Sequence, residues 1–135
     1  MPRMLFPNLA VRDLPRTKAF WTALGFSFNA QFTDDNAACL VVNDLASVML
    51  LSEPFFKGFT ARQLCDTSTH TEAFLALSLD SRDEVTQMVE AALANGGTAA
   101  QPPQDHGFMF QWSFYDPDGH HWEPFWMDTA HVQAT

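Results

Sequence analysis

Basic residues are scarce: seven lysines and arginines stand against 16 aspartates and glutamates, a formal net charge of −9. No basic stripe offsets this, so a polyanion would be repelled and nucleic acid is excluded as a partner. The acidity itself is read as serving solubility. Cysteine is scarcer still, with Cys39 and Cys65 alone. They form no C-x-x-C pair, which excludes the usual zinc and dithiol motifs. Cys39 lies in an apolar run from Ala37 to Val42 and reads as a small buried residue. No apolar run approaches the roughly 20 residues of a membrane span, and nothing resembles a signal peptide. The expectation is a cytoplasmic chain with reduced thiols and no membrane partner.

What is present is apolar and aromatic. Hydrophobic residues make up 47% of the 135 and charged ones 17%, enough for the core of a single domain. Thirteen phenylalanines and four tryptophans exceed what a core of this size needs, and the surplus suits an apolar ligand cavity.

The chain reads as the same plan used twice. Met4 to Val11 reads as a strand. Asp13 caps a helix with Pro15 in its first turn, Phe20, Trp21 and Leu24 on one face, and Gly25 as its stop. Three short apolar runs follow, Phe26 to Phe32, Ala37 to Val42 and Ser47 to Ser52, separated by Asp- and Asn-rich turns. In the second half Ala73 to Leu79 is a strand and Ser81 with Glu84 makes a capping box. Val85, Met88, Val89, Ala92 and Leu93 mark the buried face of a helix, and Asn95-Gly96-Gly97 ends it. The runs Thr98 to Gln101, Gly107 to Tyr115 and His121 to Met127 complete the repeat. The fold class is therefore α+β, with two β-α-β-β-β modules. Module one spans about residues 3–52, a linker with room for a short helix about 53–72, and module two about 73–128.

Strand alternation assigns the faces. Leu5, Leu9 and Val11, then Leu75, Leu77 and Leu79, then Trp122 and Trp126, point to the helices. The opposite faces carry Phe6, Asn8 and Ala10; Phe74 and Ser78; and His121, Glu123 and Phe125. Aromatic walls with a few directed polar groups read as a ligand-pocket lining, with a curved mixed sheet closing around it. His106 reads as a rim or solvent residue and His120, in a turn, as solvated. Gln111 and Trp112 point to opposite faces, so one of them can reach the ligand.

Val11-Arg12-Asp13-Leu14 before the Phe20-Trp21 helix, and Asp116-Pro117-Asp118-Gly119 leading to Trp122-Glu123, resemble the glyoxalase/bleomycin-resistance/extradiol dioxygenase superfamily, the vicinal oxygen chelate fold. The resemblance runs from about Met4 to Met127, and the D-P-D-G turn is its more specific part. It implies a divalent ion held from four strands. Carried over residue by residue, those ligand positions fall on Phe6, about Leu50, Phe74 and Glu123, and only Glu123 can bind a metal. The resemblance also implies pairing into homodimers.

Two readings stand side by side. One is a protein that binds a small organic ligand without metal, as the bleomycin-resistance members do, through Phe6, Asn8, Phe74, Ser78 and Phe125. The other is a lyase, isomerase or dioxygenase with a reduced or rearranged site. There Glu123 and His121, two residues apart on one strand face, act as base and acid or as two ligands of one divalent ion, with Asn8 and His106 as possible additions. Pro124 removes a backbone donor from this last strand, so a bulge or an unpaired position is expected there, and either can re-aim Glu123.

Overall fold

The computed structural model describes residues 2–131. The chain forms two compact units, the first ending at Cys65 and the second beginning at Asp66.

In the first unit the order is β1 (Asn8–Val11), α1 (Leu14–Ala23), β2 (Ala37–Val41), β3 (Ser47–Ser52) and α2 (Glu53–Lys57). The sheet runs β1-β3-β2, with β1 parallel and β2 antiparallel to β3. Helix α1 starts because the Asp13 carboxylate accepts from the Arg16 N–H at 3.0 Å, and it packs on β2 and β3. Leu9, Val11, Leu40 and Leu50 are buried with Phe20 and Trp21 of that helix. Two expectations fail here. Leu5 bridges Ala46 in the register of β1, its N–H donating to the Leu45 carbonyl and its carbonyl accepting from the Ser47 N–H, but its side chain is 67% exposed instead of inward. The run Phe26 to Phe32 is not a strand. It bridges at Phe28 to Leu40 and then turns into a 3₁₀ turn (Ala30–Phe32), whose start is held by the Asn29 side chain accepting from the Gln31 N–H.

The second unit contains β4 (Phe74–Ser78), α3 (Arg82–Ala94), β5 (Thr98–Ala99), β6 (Gln104–Asp105), β7 (Met109–Gln111), β8 (Phe114–Tyr115) and β9 (His121–Met127). Strand β9 is central: β4 lies parallel on one side, and β7 and β8 lie antiparallel on the other. β5 and β6 extend the sheet beyond β8 and β7. Both units thus place their first strand parallel to their last, the repeat expected from sequence. Ser81 accepts from the Glu84 N–H at 3.1 Å, while the Glu84 carboxylate accepts from Asp80 N–H at 2.7 Å, one residue ahead of the usual capping-box partner. Val85, Val89 and Ala92 are fully buried, as are Phe114, Trp122 and Pro124 of the sheet. Leu93, expected on this face, is 39% exposed. Arg82 clamps the loop after β6: it donates to Asp105 and to the Gly107 carbonyl and stacks 4.9 Å over Trp126. That bond holds the Asp105 carboxyl below its ordinary value. The clamp's contribution is complete above pH 3.8 and is lost as the pH falls through the lowered folded-state value.

Of the two outcomes expected at Pro124, a bulge or an unpaired position, the second is found. Gln111 pairs with Phe125 and Phe114 with Trp122, one continuous register on both sides of the proline. The missing N–H of Pro124 costs a rung of the ladder, and the run 107–115 accordingly divides into β7 and β8. No residue is inserted, so Glu123 keeps its place in the alternation.

The turn between β8 and β9 is built around Asp116. Its buried carboxylate accepts from the Asp118 N–H (2.9 Å), the His120 N–H (3.0 Å) and the Trp122 indole N–H (3.0 Å). Burial pushes this carboxyl above its ordinary value, against the pull of His120 and of the Trp122 hydrogen bond. His120, expected to be solvated, is buried, with its Nδ1 3.0 Å from the Glu72 carboxylate. Gly119 has φ +86°, and a Cβ there would lie 2.5 Å from the Thr67 carbonyl oxygen, while the Thr67 hydroxyl donates to the Asp118 carbonyl.

Two stability series follow from this turn. Asp116→Ala leaves three buried donors unpaired and is expected to cost about 3 kcal/mol or more in urea denaturation. Asp116→Asn keeps the backbone bonds and loses the indole bond, for about 1–2 kcal/mol. Wild-type stability in Asp116→Asn contradicts the assignment. Gly119→Ala is expected to cost about 2 kcal/mol or more, from its left-handed backbone and the collision with Thr67. Gly25→Ala, at φ +94° with nothing near its Cβ, is expected to cost about 1 kcal/mol. Equal losses at the two glycines would show that the Thr67 contact is not tight.

Candidate functional site

The sheet of the second unit has one face covered by α3 and one face left open. Register partners share a face, so the open one can be read across the strands. Phe74 stands beside His121, Ala76 beside Glu123, and Ser78 beside Phe125. On the other side of β9, Tyr115 stands beside His121 and Gln111 beside Phe125. Five of the residues expected at the site, Phe74, Ser78, His121, Glu123 and Phe125, therefore lie together on one surface.

The upper edge of this surface is an aromatic row. The His121 ring sits between Phe74, at a centroid distance of 5.4 Å, and Tyr115, at 5.5 Å. Phe74 is 56% exposed, a large apolar ring at the first position of β4. The His121 Nε2 atom is buried among its neighbours with no hydrogen-bond partner. Such a nitrogen forgoes solvation, and the ring meets Phe74 at a tilt and Tyr115 edge-on. Below the row, Glu123 is half-buried and makes no hydrogen bond or ion pair with any described residue. Gln111 reaches toward the sheet edge, where its amide donates to Gln104 at 3.1 Å.

Phe6 and Asn8 belong to the first unit. Phe6 is 44% exposed, and the Asn8 amide donates to the Phe6 carbonyl at 2.8 Å, which ties the two together at the start of β1. Both alternate with the buried Leu9 and Val11, as the sequence indicated. His106 is exposed on the loop between β6 and β7, its ring 6.5 Å from Phe108.

The repeat also corrects one metal-ligand position. Counting back equally from the starts of α1 and α3 matches Phe6 with Phe74 and Asn8 with Ala76. Asn8 faces Met49 in register and Ala76 faces Glu123. The counterpart of Glu123 is therefore Met49 and not Leu50, which is fully buried on the helix side. Phe6, Phe74 and Met49 offer no nitrogen or oxygen donor, and Glu123 offers one carboxylate. Among the described residues no three His, Cys, Asp or Glu side chains group into a metal site. The residues present do not fit the divalent ion that the fold family implies.

Tyr115 was not singled out from sequence. Its signal was available: alternation from the buried Phe114, carried across the D-P-D-G hairpin, puts Tyr115 opposite His121. The segment 67–71, which packs against the same hairpin, carried no such pattern.

Comparison with known proteins places this architecture. The family model described as Glyoxalase/Bleomycin resistance protein/Dioxygenase superfamily matches residues 3–123. No curated protein matches the sequence. Among solved structures, a hypothetical protein from S. aureus is 27% identical with a TM-score of 0.77, covering 93% of this chain and 94% of its own. A bleomycin resistance determinant encoded on transposon Tn5 gives 21% identity and a TM-score of 0.65 over 94% of this chain and 99% of its own. The fosfomycin resistance protein FosX of Listeria monocytogenes gives 17% and 0.66 over 100% and 96%. With the family model covering nearly its whole length and the fold shared, this chain belongs to the Glyoxalase/Bleomycin resistance protein/Dioxygenase superfamily.

Proposed function

We propose that the chain binds a small organic molecule with a flat apolar part, without a divalent ion, through the open face of the second unit. The observation that carries this reading is the exposed Phe74 ring in line with His121 and Tyr115, at positions of a fold whose metal donors are replaced by Phe6, Met49 and Phe74. Rings stack on flat ligands and add to what area burial alone contributes. Ser78, Glu123 and Gln111 supply directed polar groups beside the aromatic wall, the mixture typical of small-molecule sites. The bleomycin resistance determinant, by its name, acts against an organic drug, which is consistent with a binding role. In this reading the chain is cytoplasmic, pairs into a homodimer, and has neither nucleic acid nor membrane as partner. No helix among the described residues is long and apolar enough to cross a membrane.

A second reading rests on Glu123, which has no partner among the described residues and shares a strand face with His121. A carboxylate so placed can take a proton from carbon next to a carbonyl, and the imidazole can protonate the oxygen, an isomerisation that balances without cofactor.

The test is thermal stabilisation by a panel of flat aromatic compounds in the presence of EDTA. Several compounds are expected to raise the melting temperature, and Phe74→Ala and Phe125→Ala to weaken binding about tenfold each, as loss of a stacked ring implies. Stabilisation that requires added zinc, manganese or iron would contradict the metal-free reading. Glu123→Gln separates the two readings. It leaves binding nearly intact if the protein only sequesters its ligand, and it abolishes turnover of an enolisable ketone if the residue is a base.

A further inference from the structure

A second concavity in the same unit opens beside the aromatic row. It has a volume of about 230 Å³ and is lined by the segment 67–71 with Thr98, Tyr115 and Gly119. Tyr115 stands in both places: its ring packs on His121, and it forms a wall of this pocket. Thr98 is its register partner on β5 and shares its face. The lining carries six hydroxyl groups and one imidazole, His70, with no carboxylate and no lysine or arginine.

Those hydroxyls divide into two sets. Thr67 donates to the Asp118 carbonyl, Ser68 to the Asp66 carboxylate, and Thr69 is 2.7 Å from His70 Nδ1. These bonds fold the segment against the hairpin at Gly119. The hydroxyls of Thr71, Thr98 and Tyr115 have no hydrogen-bond partner among the described residues, so three donor–acceptor groups are left among the lining residues. Hydroxyls that can each donate and accept, in a wall without fixed charge, suit an uncharged partner of the same kind. An anion would find no cation there apart from a protonated His70, and it would meet the repulsion of a chain with net charge −9. A cation would find no carboxylate.

We propose that this pocket is a subsite for an uncharged, hydroxyl-rich arm of the ligand, a sugar or polyol, attached to the flat part that lies on Phe74 and His121. The assignment rests on the aromatic-face reading above and extends it to the class of ligand: an aromatic glycoside or similar conjugate. Tyr115 is the wall shared by the two subsites.

The test is the affinity of the folded full-length protein for 4-methylumbelliferyl glucoside and for 4-methylumbelliferone, measured by fluorescence titration in EDTA. The glucoside is expected to bind about fivefold or more tightly than the free fluorophore. Thr71→Val and Thr98→Val, nearly isosteric changes, are each expected to reduce glucoside affinity by roughly threefold to tenfold and to leave fluorophore affinity within about twofold, the effect of losing a hydrogen bond to a neutral partner. Equal affinity for the two probes overturns the subsite and leaves the aromatic-face reading standing. Loss of both probes alike in the threonine variants also overturns it. Binding of the fluorophore without the glucoside also overturns the subsite alone, whereas failure of both probes to bind the wild type removes both proposals.

Discussion

The buried carboxylate of Asp116 is the interaction on which the second unit depends. Three donors converge on it: two backbone N–H groups of its own turn and the indole of Trp122 at the start of the next strand. The first two close the hairpin. The third fixes where β9 begins relative to β8, since Trp122 must face the helix for its indole to reach the carboxylate. Once Trp122 points that way, His121 and Glu123 point the other way, and Tyr115 falls beside His121. One residue of slip would bury Glu123 under α3 and expose Trp122. The face that carries the candidate site is thus a consequence of the turn at its end.

Much of this was legible in the sequence because the signals were local and redundant. The two helices announced themselves by Asp13 and by Ser81 with Glu84, and the alternation in Phe74–Ser78 and His121–Met127 was unbroken. Where the reading failed, a single residue had overridden a pattern. The Asn29 side chain turned an apolar run into a 3₁₀ turn. Pro124 is compatible in sequence with a bulge or an unpaired position, and only the register across to β7 and β8 shows the second, a lost rung that splits one run in two. His120 looked exposed because turns usually are, but Glu72, far away in sequence, buries and pairs with it. Such tertiary partners leave no trace in local pattern.

The candidate site was half legible for the same reason. Alternation placed five residues on one face, and the structure brings those five together. It could not place Tyr115, which needed the register across the hairpin, or the hydroxyl-lined segment 67–71, which has no periodicity. The metal positions required the structure as well. Only the pairing of Asn8 with Met49 identified the counterpart of Glu123, and it replaced a buried leucine with a methionine that is no better as a ligand for a hard ion. Phenylalanine stands at two of the positions that the family resemblance makes metal ligands, and the chemistry proposed for this face is therefore stacking and hydrogen bonding and not Lewis acidity.

The measurement that tests this account most directly is an NMR titration of the aromatic side chains with a flat aromatic ligand, in the presence of EDTA. The account expects the ring resonances of Phe74, His121 and Tyr115 to shift together along one binding curve, while those of Phe20 and Phe114 in the two cores stay fixed. Shifts confined to other rings, or shifts of these three that appear only when a divalent ion is added, would contradict it.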